Sequence, residues 1–208
     1  MTEIVVVRHG ETVMNTRGVF RGRSDVGLNE RGVSQARALG RALREPKIDA
    51  VYSSPMSRAL STAEEVAKRH GLTPLVDEAF NNIDLGEWQG TEKAVVERDY
   101  PELWRLWTQD PDALVIPGGE TLASVRERAY RRILELVELH EGRRIALVSH
   151  RSVAKLLAGA LLGMDSGYFW NFYLDNAGFS VFGHRGERFV LLKWNESCHL
   201  EERTVEHY

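Results

Sequence analysis

Two arginines and two histidines stand where they could do chemistry together. The apolar run 4–7 stops at Arg8-His9-Gly10, and the run 144–149 stops at His150. A third run, 48–52, leads into a stretch of helical period whose first turn carries Arg58. Guanidinium groups donate forked hydrogen bonds that match phosphate oxygens, and imidazole is the side chain best suited to act as base or nucleophile near neutral pH. A metal site is the obvious rival for two histidines. Neither belongs to an HExxH-type helix, the chain has one cysteine, and neighbouring guanidinium groups repel a divalent cation, so no metal is expected. No GxxxxGK[ST] or GxGxxG stretch follows a strand, which removes the common nucleotide cradles. What remains is direct work by imidazole on a phosphoryl group.

The elements that must hold these residues follow from hydrophobic periodicity. Short Val- and Ile-rich runs alternate with longer stretches of helical period, the pattern of βα units on a largely parallel sheet. Strands are expected at 3–7, 48–52 and 144–149, with a short piece at 74–76. Val33, Ala36, Leu39 and Leu43 form one face of a helix that exits at Pro46. The next helix takes Ser54 as N-cap and Pro55 as its first residue, and closes at Gly71. Leu122, Val125, Ala129, Ile133 and Leu136 mark a long helix, and 152–162 another. The tail, SVFGHRGERFVLLKW, is two apolar runs around Arg185-Gly186 and predicts a β-hairpin.

The expected fold class is therefore α/β, a three-layer α/β/α sandwich with a mostly parallel sheet, built as one domain over 1–208. Residues 91–116, broken by Pro101 and Pro111 and carrying Tyr100, Trp104 and Trp107, are expected as one or two short helices covering a site. In open parallel sheets ligands bind outside the carboxyl ends of the strands, so all three junctions should deliver their polar residues to one edge.

Bulk properties bound the function. With 43% hydrophobic residues in 208, the chain can bury a full core. A net charge of −3 gives no basic excess, so neither nucleic acid nor an anionic membrane is expected as partner. The apolar stretch LLAGALLGM is well short of the roughly 20 residues needed to span a bilayer. Cys198 has no internal disulfide partner and no apolar leader precedes Ile4, so the expected setting is a reducing cytoplasm. No sequence feature specifies an oligomeric state.

RHGET (8–12), Asn15, FRGRSDVGLNERGVSQA (20–36), SSPMSRALSTAE (53–64), LGEWQG (85–90), PGGET (117–121) and SH (149–150) together resemble the histidine phosphatase superfamily, also called phosphoglycerate-mutase-like. The resemblance implies that His9 is the nucleophile and becomes phosphorylated. It implies that Arg8, Arg58 and His150 hold the transferring group, and that Asn15, Arg21 and Gly22 line the substrate side. The implied activity is a metal-independent phosphomonoesterase acting on a small phosphorylated metabolite, with no metal and no organic cofactor needed. The mutase branch is the alternative, disfavoured because an ERHYG-like stretch is missing.

Two departures from the family pattern bear on this reading. The family's proton-donating glutamate aligns with Asn82, and an amide cannot protonate a leaving alkoxide. A missing general acid costs about 10²- to 10⁴-fold on the step it assists, most for alkyl phosphates and least for aryl or acyl phosphates. Asp84 is a candidate replacement, with Glu87 and Glu120 behind it; otherwise the chain is a weakened phosphatase or a phospholigand-binding protein. Second, Arg151-Ser152 stands where the family often has two glycines. Arg151 is either a contact for a second anionic group of the substrate or a solvent-facing charge.

Overall fold

The computed structural model describes residues 1–202; residues 203–208, the end of the span expected as one domain, lie outside the described residues. Six strands make one sheet in the order β3-β2-β4-β1-β5-β6. Strands β1 (Thr2–Arg8), β2 (Ala50–Ser53), β3 (Leu75–Val76) and β4 (Arg144–Ser149) run parallel. Strands β5 (Phe179–Arg185) and β6 (Arg188–Glu196) pair antiparallel as the predicted hairpin, with Gly186 in the turn at φ +63°.

Alternation along the central strands explains the layers. Ile4 and Val6 of β1, with Ile145 and Leu147 of β4, enter one core, while Val5, Val7, Ala146 and Val148 enter the other. The second core is covered by α1 (Glu30–Ala42) and α2 (Ser57–Ala67). The first is covered by α3 (Lys93–Asp99), α4 (Pro101–Gln109), α5 (Leu122–Leu139) and α6 (Arg151–Leu161). The result is the α/β/α sandwich that the periodicity predicts. Full burial of each such aliphatic side chain is worth about 1.5–3 kcal/mol, so the strands that carry the polar junctions are firmly held.

Local signals explain the helix boundaries. Asn29 caps α1, its side chain accepting the Gly32 N–H, and Pro101 starts α4. Residues 91–116 contain two short helices, α3 and α4. One boundary differs from the sequence reading: α2 begins at Ser57 after an extended Met56, so Ser54 is not its N-cap and Pro55 is not its first residue. The Ser54 hydroxyl is drawn instead to His150. Helix α2 passes into a 3₁₀ turn, Lys68–His70, which Gly71 closes at φ +67°. Among the described residues no helix is long and apolar enough to cross a membrane.

Candidate active site

The ends of β1 and β4 lie side by side, with Arg8 opposite Ser149, so His9 and His150 emerge next to each other. The His9 N–H donates to the Ser149 carbonyl at 3.0 Å, and the His9 carbonyl accepts from Ala177 N–H and Asn176 Nδ2, each at 3.1 Å. Gly10 is required here because a Cβ would stand 2.6 Å from the Gly32 carbonyl oxygen at the start of α1. Any side chain at Gly10 would therefore push His9 out of place.

His9 is buried, and its Nδ1 lies 2.7 Å from the Gly10 carbonyl oxygen. A carbonyl only accepts, so Nδ1 carries the proton and Nε2 the lone pair. Burial, then the charges of Arg58 and Arg8, hold His9 well below the usual histidine range. It is therefore neutral, the state in which an imidazole can act as a nucleophile. The His150 ring stands edge-on at 5.2 Å between centroids, and burial followed by Arg58 depresses its pKa in the same way. Its Nε2 is 2.8 Å from Ser54 Oγ, and its Nδ1 is buried without a hydrogen-bond partner.

Arg58 spends Nη1 on the Ser24 carbonyl at 2.8 Å and Nη2 on the Gly22 carbonyl at 3.2 Å, while its Nε is buried without a partner. Burial lowers its pKa to about 10, which leaves it charged at neutral pH. Arg8 donates from Nη1 to the Leu174 carbonyl at 2.6 Å. Buried donors without acceptors are costly, and the oxygens of a phosphoryl group seated between these side chains would satisfy Arg58 Nε and His150 Nδ1. Helices α2 and α6 both start here, adding the partial positive charge of their N-termini. Among the described residues no group of three or more His, Cys, Asp or Glu side chains is placed to hold a metal ion.

Arg8, His9, Arg58 and His150 meet in the wall of one cavity of about 460 Å³, together with Arg21, Gly22, Asn82 and Arg151. Asn15 is not in that wall; its side-chain oxygen accepts from the Thr12 N–H and hydroxyl, each at 2.8 Å. Asp84 is not in it either: its carboxylate accepts the Gly86 N–H at 3.0 Å and lies 3.8 Å from Arg23. Asn82 Nδ2 donates to the Gly22 carbonyl at 2.7 Å. Glu120, of the PGGET stretch, accepts from Asp84 N–H, Arg23 and Arg128, and so ties down the loop on which Asn82 sits.

Several site residues escape the sequence reading. Ser54 reads locally as a helix cap, and only the tertiary fold brings it to His150. The aromatic wall of Trp104, Trp107, Trp170, Phe172 and Tyr173 is foreshadowed in its first two members alone, by the aromatic content of 91–116. Lys93, also in the wall, carries no motif signal.

The profile of the histidine phosphatase superfamily (branch 1) matches residues 4–197. Phosphoserine phosphatase 1 of Hydrogenobacter thermophilus is 37% identical over 206 residues, covering 99% of this chain and 98% of that one. Phosphoglycerate mutase-like protein 4 of Arabidopsis thaliana is 33% identical, covering 96% and 87%. Among solved structures, Bacillus stearothermophilus YhfR superposes with a TM-score of 0.92 at 28% identity, covering 97% of this chain and 100% of that one. A mycobacterial glucosyl-3-phosphoglycerate phosphatase complexed with VO3 superposes with a TM-score of 0.87 at 30% identity, covering 94% and 99%.

Proposed function

The chain belongs to the histidine phosphatase superfamily, and from that premise we propose that it hydrolyses phosphomonoesters through a phosphohistidine at His9. It is a phosphatase of small phosphorylated metabolites, as its relatives are. The observation that carries the phosphohistidine is the 2.7 Å hydrogen bond from His9 Nδ1 to the Gly10 carbonyl, which leaves the Nε2 lone pair free to attack. Attack forms an N–P bond and breaks the P–O bond to the leaving group. Water then attacks phosphorus, the N–P bond breaks, a proton passes to solvent, and inorganic phosphate departs. Arg8, Arg58 and His150 balance charge on the non-bridging oxygens, which is most of what phosphoryl transfer asks of a protein.

Arg21, Gly22 and Arg151 border the organic part of the substrate in this reading. The reaction uses no metal or organic cofactor. The partner is a small phosphorylated molecule, rather than nucleic acid or membrane. A single cysteine, which can form no internal disulfide, supports a reducing cytoplasm as the setting. Turnover of p-nitrophenyl phosphate should survive EDTA, and an acid-labile phosphoenzyme should be trapped by rapid quench. Wild-type turnover by His9→Ala would overturn the assignment. Asn82 in the cavity favours a second reading, a phospholigand-binding protein, which would bind vanadate yet turn over no phosphoester in a broad panel.

A further inference from the structure

The cavity is large and partly aromatic. Phe20, Trp104, Trp107, Trp170, Phe172 and Tyr173 line it. The wall is prebuilt: Trp107 packs edge-on against Trp170 at 5.1 Å and Phe20 at 5.6 Å, and Trp170 Nε1 donates to the Trp107 carbonyl at 2.7 Å. A cavity of about 460 Å³ lies within the range of small-molecule sites and exceeds what a phosphate ester alone needs. Its aromatic side chains suit offset or edge contacts with a flat ring on the departing group.

The chemistry at the scissile bond points the same way. Asn82 occupies the acid position and its amide is committed to the Gly22 carbonyl at 2.7 Å. The Asp84 and Glu120 carboxylates are engaged with Gly86 N–H, Asp84 N–H, Arg23 and Arg128. Among the described residues, the charged side chains of the cavity wall other than the two histidines are cationic: Arg8, Arg21, Arg58, Lys93 and Arg151. Such a site stabilises a departing oxyanion electrostatically and lacks the carboxyl group that would protonate it in the family pattern. The rate then follows the acidity of the leaving hydroxyl, and a substrate ammonium meets like charge.

Resting on the phosphatase reading, we propose that the substrate is a phosphate ester of an acidic, phenol-type hydroxyl on a flat aromatic body. The test measures kcat/KM of the full chain on α-naphthyl phosphate, phenyl phosphate, O-phosphoserine and 3-phosphoglycerate. α-Naphthyl phosphate should exceed both alkyl phosphates by about 10²-fold or more, the low end of what a general acid supplies. It should exceed phenyl phosphate by about tenfold, and Trp104→Ala should erase most of that second margin. An alkyl phosphate that matches or beats α-naphthyl phosphate overturns the substrate class and leaves the His9 reading standing; turnover of none of the four overturns it as well. Retained turnover by His9→Ala would instead strike the underlying reading.

Discussion

Replacing Asn82 by glutamate restores the acid that the family pattern expects, and the structure bounds what else the change does. The Asn82 carbonyl accepts from Arg23 Nε at 3.1 Å and Arg128 Nη2 at 3.2 Å, and Glu120 holds the neighbouring Asp84 N–H at 2.9 Å. These backbone ties do not depend on the side chain at 82, so the loop should keep its course. The interaction lost is the 2.7 Å bond from Asn82 Nδ2 to the Gly22 carbonyl, worth about 1 kcal/mol, or roughly 2–4 °C in Tm for a chain of this size. A carboxyl at the leaving-group side should raise kcat/KM on O-phosphoserine by about 10²- to 10⁴-fold. On p-nitrophenyl phosphate, whose phenolate leaves unaided, the gain should stay within a few-fold. Steady-state kinetics of Asn82→Glu on both substrates, with a melting curve for each protein, measures all three effects. An equal change on both substrates would refute the reasoning, because it would show that position 82 does not govern protonation of the leaving group.

Two further outcomes follow from the buried imidazoles. Ser54 Oγ lies 2.8 Å from His150 Nε2, and with the hydroxyl donating there the ring proton stands on Nδ1. Ser54→Ala should lower kcat/KM about tenfold, the worth of one well-made hydrogen bond, while Ser54→Thr keeps most of the wild-type value; an alanine variant at full activity would sink the role. Stability should also depend on pH below about 6.5. His9 and His150 are depressed in the folded chain by burial and then by Arg58, so the unfolded chain binds their protons first as pH falls. Above that range they contribute nothing; below it, stability should fall by about 1.4 kcal/mol per pH unit for each, and urea titrations at pH 7 and 5.5 that coincide would contradict it.

What could be read from the sequence was what is local or periodic. Alternating Ile4 to Val7 and Ile145 to Val148 fill two cores at once, which sends the strand to the sheet centre and its end to the ligand edge. That argument needs no partner in view, and it already gathers Arg8, His9 and His150. The short helices after residue 91 were legible through their prolines and aromatics, but which aromatics face a cavity depends on how α4 meets Phe169 and Trp170, far along the chain. Ser54 fails for a related reason. A serine three residues before a helix reads as a cap because local capping is common, yet the hydroxyl finds His150, 96 residues away.

Asn82 shows where the two kinds of information must be combined. In sequence it is a missing glutamate, and several acids nearby compete to replace it. In three dimensions the nearest of them, Asp84, closes its own turn through the Gly86 N–H and faces Arg23, and Glu120 is the hub that holds the loop. Both carboxylates gain their stabilising partners by staying where they are. Pulling either into the cavity would give up an ion pair with Arg23 or Arg128 and a hydrogen bond from a backbone N–H. A site arranged this way favours leaving groups that depart without help over a rearrangement that would provide it, which links the missing glutamate to the aromatic side chains that line the same cavity.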